Sequence, residues 1–446
     1  MGSISEVTEI TSSMSESMFS KAPKTMTTAE YITCEDTYGA VSLKQLPLVL
    51  TSARGAHLWD LDGKKYIDCL SSFSVTNQGH CHPKIVQAMI EQCQKLTITS
   101  RAFHNEHYPL LCRKLCTLLG YDMAFAMNSG SEATDTAIKI ARKWGYCVKG
   151  IPSNQAKILT ISGNYHGKLT GPLSASDNSK IREGFGPYLP GVGPDIEGHL
   201  VRFNNLEDIE HVLKHYGHEI AGLMIECIQG YAGCLVPEDG YIKAVFDLCK
   251  AYNVLFIADE IQSGFGRTGY LMAYEKENIK PDMVTIGKAL TGGVYAMGMV
   301  LGSREVMEQL QPGQHSSTFS ANPVASAVAL AAVDVVLDER LPERALKLGQ
   351  ALNKRLLAIK CPYTTTRITG RGLFFSFSID ESHPSGRMTA ARLAMVMRER
   401  GVLLYANENR IRIAPPLIIE EEDLWFAVDV LDQSLQDLIH LEDNLA

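Results

Sequence analysis

Short apolar runs that alternate with amphipathic segments constrain the fold of this 446-residue chain more than any other feature. Each run is too short for an ordinary helix, whereas the segments between them, such as residues 241–252, have apolar residues at helical spacing. Strands that alternate with helices indicate crossover units, which predict a mainly parallel sheet covered by helices on both faces. The four runs are residues 156–162, 220–226, 254–259 and 283–286.

The two chain ends predict a second, smaller domain. A long helical stretch follows residue 321, and a strand–helix–strand pattern continues through residues 373–379 and 391–400. We therefore expect an α/β protein in which residues 76–325 form a large domain. Residues 31–75 and 326–446 would form the small domain, and residues 1–30, which are rich in Ser, Thr and Met, would be a loose tail.

Charge and composition argue against several classes of partner. The 42 basic and 50 acidic residues leave a net charge of −8, whereas nucleic acids and anionic membranes select clustered positive charge. The apolar run at residues 324–333 falls short of the ~18 residues that a membrane span needs. The tail contains Glu6, Glu9 and Glu16 and no arginine before Arg54, which fits neither a secretory signal nor a mitochondrial presequence. Eleven unpatterned cysteines fit a reducing compartment, so we expect a cytoplasmic protein.

Two motifs suggest sites that the surrounding sequence does not support. Residues 264–269 match the GxGxxG pattern of dinucleotide sites, but the residues after them do not cleanly supply a helix and a later acidic residue. A nicotinamide oxidoreductase is therefore a minor alternative. The sequence His80-Cys81-His82 resembles a metal site, but adjacent side chains point in different directions and no second ligand cluster lies further along the chain. We predict no metal site.

Three other patterns together describe one cofactor. Asp259 ends a strand, where parallel sheets bind ligands, although a helix cap or an ion pair would also explain it. Lys288 follows another strand between small and apolar neighbours, where desolvation favours the neutral, nucleophilic amine. Residues 128–132 introduce a helix whose free N–H groups suit a phosphate, or else only carry a helix cap. Pyridoxal phosphate needs an amine that reacts with its aldehyde, an acid that keeps its ring nitrogen protonated and a site for its phosphate, and these three patterns supply them. Tyr165 could stack on the ring of this cofactor.

The motifs around these residues resemble class III pyridoxal-phosphate aminotransferases, and within that class ornithine aminotransferases. The resemblance covers nearly everything after Tyr38 and implies fold type I, the aspartate-aminotransferase-like architecture. It rests on Asn128-Ser-Gly-Ser-Glu132, Asn164-Tyr-His-Gly167, Ile257-Ala-Asp-Glu-Ile-Gln262, Gly264-Phe-Gly-Arg-Thr-Gly269, Ile286-Gly-Lys-Ala-Leu290 and Arg412-Ile-Ala-Pro-Pro-Leu417.

The resemblance also implies roles for individual residues around the cofactor. Lys288 would bind the cofactor aldehyde and move a proton, and Asp259 would pair with the pyridine nitrogen. Gln262 would contact the ring hydroxyl, while Gly130 and Ser131 would hold the phosphate.

Two further implied roles concern the substrate and the assembly. Thr318 would reach the phosphate bound by the neighbouring subunit, so the resemblance implies an obligate homodimer. Arg412 would bind the carboxylate of an amino acid or 2-oxo acid through its bidentate fork.

Four predicted substrate-binding positions depart from the ornithine aminotransferase pattern. Leu43 and Phe73 replace two tyrosines, Lys168 replaces an arginine, and Tyr231 replaces a glutamate. In the family, that glutamate pairs with the arginine matching Arg412 while an ω-amine donor is bound, and then swings away for 2-oxoglutarate. A tyrosine cannot neutralise Arg412, and an unpaired buried charge costs roughly 3–5 kcal/mol. We expect Arg412 to be paired otherwise, or to bind a carboxylate in both half-reactions; neutral drift is the alternative.

Related activities remain open because the same cofactor chemistry supports them. The main prediction is an aminotransferase with a pocket altered from the ornithine type. An amino-acid racemase or decarboxylase on the same fold is the alternative, because the pocket decides which bond at Cα breaks. Intact Lys288 and Asp259 argue against a catalytically silent binding protein.

Overall fold

A computed structural model describes residues 26–40, 43, 45–361, 368–382 and 386–440. Most of the predicted tail, up to residue 25, lies outside the described residues. The chain forms two compact units: the smaller comprises the chain up to residue 52 together with residues 59–65, and the larger comprises residues 53–58 and 66–446. The predicted domain boundaries near residues 30, 75 and 325 stay a prediction.

The smaller unit contains helix α1 (Thr28–Tyr38), which begins with a capping box. The Thr27 hydroxyl accepts a hydrogen bond from the Glu30 backbone at 3.3 Å, and the Glu30 carboxylate accepts one from the Thr27 backbone at 2.7 Å. These two bonds satisfy N–H groups that a helix start otherwise leaves open. Leu43, a predicted substrate-binding residue, lies in this unit and is exposed. Its role in the pocket stays a prediction.

The larger unit contains the predicted sheet. Three short strands precede it along the chain: β1 (Leu50–Arg54), β2 (His57–Asp60) and β3 (Lys65–Asp68). The nine strands after them are β4 (Met123–Met127), β5 (Lys157–Leu159), β6 (Val192–Gly193), β7 (Asp195–Ile196), β8 (His199–Leu200), β9 (Ile220–Ile225), β10 (Leu255–Asp259), β11 (Met283–Ile286) and β12 (Gly298–Gly302). Seven of them form one sheet in the order β4-β12-β11-β10-β9-β5-β6, and β7 pairs with β8 separately. Only β12 runs antiparallel to its neighbours in the large sheet, so a mainly parallel sheet is confirmed, with β5, β9, β10 and β11 at the predicted runs.

Helices cover both faces of this sheet, as predicted. Leu255 and Ile257 of β10 pack in one core cluster with Ala137 of an 18-residue helix. Phe256, between them, contacts Phe246 edge-on with ring centroids 5.6 Å apart. Because successive strand residues point to opposite faces, these two contacts lie on opposite sides of the sheet. The helices after α1 are α2 (Pro83–Cys93), α3 (His107–Leu119), α4 (Gly130–Cys147), α5 (Thr170–Ser174), α6 (Ser179–Arg182), α7 (Leu206–Tyr216), α8 (Tyr241–Ala251), α9 (Arg304–Met307), α10 (Pro323–Asp338), α11 (Leu341–Ala358), α12 (Ala390–Glu399) and α13 (Glu421–His440).

The apolar run at residues 324–333 forms the buried helix α10. Asn322 caps its start by accepting a hydrogen bond from the Ala325 backbone at 2.8 Å. Val324, Val328 and other buried residues of the helix pack against Ile85 of α2. The helix can be apolar around most of its circumference because it lies inside the protein. No helix in the described part of the chain is long and apolar enough to cross a membrane.

The C-terminal region forms a second, antiparallel sheet. Its strands are β13 (Thr369–Gly370), β14 (Phe375–Ser378), β16 (Tyr405–Asn407) and β17 (Arg410–Ile413), in the order β13-β14-β17-β16. Strand β15 (Val402–Leu403) instead pairs in parallel with β3, where Ile67 lies opposite Val402. The predicted strand–helix–strand order of β14, α12 and β15 is therefore present, but its two strands lie in different sheets.

Candidate active site

The buried carboxylate of Asp259 lies at the carboxyl end of the central strand β10. Its side chain is 4% exposed. One carboxylate oxygen accepts hydrogen bonds from the Thr285 hydroxyl and the Ile261 backbone, each at 3.1 Å. The other lies 2.6 Å from Nδ1 of His166, which therefore carries the hydrogen. Three donors hold this carboxylate at the sheet edge where parallel sheets bind ligands.

Two titratable residues that sequence reasoning missed adjoin Asp259. His166 is fully buried; burial lowers its pKa, but the hydrogen bond and charge of Asp259 and the charge of Glu226 outweigh burial and raise it. Glu226 accepts hydrogen bonds from the Tyr165 and Gly230 backbones at 2.8 and 3.1 Å. Burial raises the pKa of Glu226 to about 7. Glu226 directly follows β9, just as Asp259 ends β10, so its position at the carboxyl end of a strand was the signal in the sequence that could have identified it.

The predicted cofactor-binding lysine, Lys288, follows the neighbouring strand β11. It begins a short 3₁₀ turn, Lys288–Thr291, and its φ angle is +46°. This is a left-handed backbone conformation, which residues other than glycine adopt mainly where the surrounding structure imposes it. Burial, followed by the charge of Arg412, lowers the pKa of Lys288 to about 8, although Asp259 and Glu226 oppose the shift. A substantial neutral fraction near pH 7.5 makes this amine a nucleophile.

The predicted phosphate site is the start of helix α4. The Ser129 side chain accepts a hydrogen bond from the Glu132 backbone at 3.2 Å and so caps the helix. The backbone N–H groups of Gly130 and Ser131 have no acceptor among the residues that the structure describes. The two interpretations of this segment are therefore compatible, because the cap leaves two donors open for an anion.

Gln262 and Phe73 contact each other. The Gln262 amide donates to the Phe73 carbonyl at 3.3 Å. Phe73 belongs to a helical turn, Ser71–Ser74, in which all four residues have positive φ angles. The Asp68 carboxylate holds this turn by accepting hydrogen bonds from the backbones of Leu70 and Ser71 at 2.8 and 2.9 Å.

The predicted carboxylate-binding residue, Arg412, lies in β17 among aromatic rings. Its Nη2 donates to the Gly230 carbonyl at 2.5 Å. The guanidinium carbon is 5.7 Å from the centre of the Phe73 ring and 5.6 Å from that of Phe374, within the range of a cation–π contact. No carboxylate in the described ranges forms an ion pair with Arg412.

Two tyrosines add further rings to this region. Tyr231, at the position where the resemblance predicts a glutamate, stacks on Tyr165 with centroids 5.1 Å apart and planes 17° from parallel. Tyr405 of β16 contacts Phe73 edge-on, with centroids 5.2 Å apart. Tyr405 lies opposite Arg412 in the pairing of β16 with β17. Sequence reasoning missed Tyr405 and Phe374 because their proximity to Arg412 depends on strand pairing.

The two remaining predicted residues are exposed. Lys168 has no hydrogen-bond or ion-pair partner among the described residues. Thr318 follows Ser317, whose hydroxyl accepts a hydrogen bond from the Asn128 side chain at 2.7 Å, so this segment lies beside the start of α4.

The GxGxxG segment does not form a dinucleotide site. Residues 264–269 form consecutive turns, and no helix begins on their glycines. The segment surrounds the fully buried Arg267, whose guanidinium donates to Asn77 at 2.6 Å, to the Leu373 carbonyl at 2.8 Å and to the Pro415 carbonyl at 2.6 Å. The motif therefore has a packing role, and the nicotinamide alternative lacks the geometry that it requires.

Comparison with known proteins decides the family. The sequence profile described as "Aminotransferase class-III" matches residues 38–435. The chain belongs to the class III aminotransferases. It is 45% identical to an ornithine aminotransferase of Schizosaccharomyces pombe over 93% of this chain and 95% of the relative. It is 43% identical to the mitochondrial ornithine aminotransferase of Arabidopsis thaliana, over 90% of this chain and 84% of the relative.

Solved structures support the same assignment. The ornithine aminotransferase of Toxoplasma gondii, whose structure has partial occupancy of pyridoxal phosphate at the active site, superposes with a TM-score of 0.89 at 35% identity, covering 94% of this chain and 96% of that one. The acetylornithine aminotransferase of Elizabethkingia anophelis superposes with a TM-score of 0.82 at 40% identity, covering 93% and 100%. The predicted fold type I transaminase is confirmed, and the racemase and decarboxylase alternatives find no support.

This class III aminotransferase uses pyridoxal phosphate, and the residues present fit that cofactor. The start of α4 has two N–H groups without an acceptor among the described residues, as a phosphate requires. Lys288 has an amine with a lowered pKa, and Asp259 has a buried carboxylate that three donors hold in position.

Proposed function

We propose that this aminotransferase acts on α-amino acids and 2-oxo acids, that Arg412 binds their carboxylate in both half-reactions, and that ornithine is a poor donor. The observation that carries the proposal is the surroundings of Arg412. The Arg412 guanidinium donates to the Gly230 carbonyl, lies beside two aromatic rings and forms no ion pair with a carboxylate among the described residues. A guanidinium in this state attracts a substrate carboxylate and repels a second substrate ammonium group.

We further propose the cofactor roles implied by the resemblance. Pyridoxal phosphate, when bound, supplies an electron sink for the pair released at the substrate Cα. The N–H groups of Gly130 and Ser131 would hold its phosphate, and Tyr165 would pack on its ring. Asp259 and Gln262 would orient the ring, Asp259 through the ring nitrogen and Gln262 through the ring hydroxyl. Lys288, at its Nζ atom, accepts a proton from the substrate and returns one.

The experiment that tests the substrate proposal compares donors and one substitution. We expect kcat/KM for ornithine to lie at least about tenfold below that for the best apolar α-amino acid of a donor panel. Tyr231→Glu restores a carboxylate near Arg412 and should raise kcat/KM for ornithine, whereas Tyr231→Phe should not. If the enzyme turned over ornithine with ordinary efficiency and Tyr231→Glu brought no improvement, the proposal would be wrong.

We propose that the enzyme is a homodimer in which Thr318 completes the partner's phosphate site. The exposure of Thr318 and the exposed apolar side chain of Phe319 beside it support this. Lys288→Ala and a Thr318 variant chosen for low activity should each have little activity when expressed alone. In a mixed dimer of the two, one site combines the native Lys288 of one subunit with the native Thr318 of the other. Co-expression should therefore restore activity. A monomer in light scattering, or no recovery on co-expression, would overturn the proposal.

We also propose a cytoplasmic location, supported by the eleven cysteines, all of them free thiols. A fluorescent fusion of the full chain should fill the cytoplasm. Co-localisation with mitochondria would contradict the proposal.

A further inference from the structure

We infer that Tyr405 is a specificity-determining residue: with Tyr231 it completes the carboxylate site of Arg412 and selects substrates whose carboxylate adjoins an apolar or aromatic group. The inference rests on the proposed function, because it requires Arg412 to bind the substrate carboxylate. Nothing in the sequence motifs points to Tyr405.

The position of Tyr405 follows from strand pairing. Tyr405 of β16 lies directly opposite Arg412 of the antiparallel neighbour β17, and residues in that relation project from the same face of a sheet. The Phe73 ring touches both: its centre is 5.2 Å from that of Tyr405 and 5.7 Å from the Arg412 guanidinium carbon. The phenol of Tyr405 is therefore beside the guanidinium.

The hydroxyls of Tyr405 and Tyr231 are available to a ligand. Both side chains are half-buried, and neither hydroxyl has a hydrogen-bond partner in the part of the chain that the structure describes. A carboxylate has about four lone-pair sites, and a bidentate fork from Arg412, which also donates from Nη2 to Gly230, fills only two of them. A phenol O–H can donate to those that remain.

The walls of the site define the rest of the substrate. Phe73 and Phe374 flank the guanidinium, and Tyr231 and Tyr405 add two more rings. These rings favour an apolar or planar group, which stacks on them or meets them edge-on. A substrate with a second ammonium group would instead face the Arg412 guanidinium, with which no carboxylate among the described residues forms an ion pair.

The test measures binding of unreactive ligands to the cofactor-loaded enzyme by calorimetry. Tyr405→Phe removes only the hydroxyl, and a hydrogen bond to a charged group is strong enough that the Kd for 3-phenylpropanoate should rise about tenfold or more. The Kd for the uncharged 3-phenylpropanamide should change less than about twofold. Tyr405→Leu also removes the ring and should weaken both ligands. In turnover, Tyr405→Phe should raise KM for phenylalanine with little change in kcat.

Matched controls separate the outcomes. Tyr216→Phe removes a hydroxyl from α7, and it should bind both ligands like the wild type. If Arg412→Lys weakens 3-phenylpropanoate and Tyr405→Phe does not, the inference is wrong and the proposed function stands. If neither weakens it, both are wrong. Equal affinity for 5-aminopentanoate and 3-phenylpropanoate would overturn the substrate class.

Discussion

At the scale of single residues, the buried carboxyl of Glu226 links stability to pH. Its pKa is raised to about 7, mainly by burial, above the ordinary value near 4.5. The folded state therefore binds the Glu226 proton more tightly than the unfolded state, and stability is lost as pH rises from about 4.5 through 7. Glu226→Gln removes that loss. The unfolding free energy of the variant relative to the wild type should rise by on the order of 3 kcal/mol over this range and level off above it.

Urea unfolding at a series of pH values measures this difference. Glu219→Gln is the control, because Lys157 lowers the pKa of Glu219. Its contribution to stability is lost as pH falls, which gives a slope of the opposite sign. Parallel curves for the wild type and Glu226→Gln would contradict the assigned pKa direction.

At the scale of elements, the close approach of β12 to the start of α4 fixes the phosphate end of the site. A Cβ atom added at Gly298 would overlap the Ser129 carbonyl oxygen, so Gly298→Ala must push the helix start away from the sheet. Because the proposed phosphate donors lie in that first turn, we expect the Kd for pyridoxal phosphate to rise at least about tenfold. Absorbance titration of the cofactor-free enzyme measures it.

Gly302→Ala, at the other end of the same strand, is the matched control. Its added Cβ would meet neighbouring atoms at 3.1 Å, none of which belongs to α4. If both variants bound the cofactor equally well, the helix start would not be the phosphate site.

At the scale of the whole molecule, the buried Arg267 joins segments far apart in the chain. Its guanidinium donates to Asn77, Leu373 and Pro415. Arg267→Met leaves three buried acceptors without a donor, each costing about 1–3 kcal/mol. We expect the unfolding free energy to fall by roughly 3 kcal/mol or more, as measured by urea unfolding of the holoenzyme.

Arg202→Met is the comparison for this experiment. Arg202 binds Asp208 through two hydrogen bonds of 2.7 Å, but at an exposed site, where water replaces the partner. Arg202→Met should therefore change the unfolding free energy by less than about 1 kcal/mol. Equal stability of Arg267→Met and the wild type would show that the buried hydrogen bonds contribute nothing net.

Sequence patterns predicted the central sheet because its strands are buried on both faces. The sequences of strands β9, β10 and β11 are almost uninterrupted apolar runs, and a titratable residue lies at or just after the carboxyl end of each strand. Strand β12 was missed because Gly298–Gly302 begins and ends with glycine, and glycine weakens a strand pattern. The pairing of the C-terminal strands was not predicted, because strand order is set by packing, not by local spacing.

The site was predictable only where a motif or a strand end marked it. Asp259 and Lys288 had both signals. His166 lies in an irregular loop within the motif Asn164-Tyr-His-Gly167, and only its 2.6 Å contact with Asp259 shows its role. Tyr405 and Phe374 approach Arg412 through non-local contacts, and a one-residue slip in that register would turn Tyr405 to the other face.

The elements that would anchor the cofactor differ from those that line the region around Arg412. The former are β10, β11 and the start of α4. The latter are the turn Ser71–Ser74, strands β16 and β17, Phe374 before β14 and Tyr231 after β9. Substitutions in the second group can therefore change which amine donor the enzyme accepts while the residues that would anchor the cofactor stay the same.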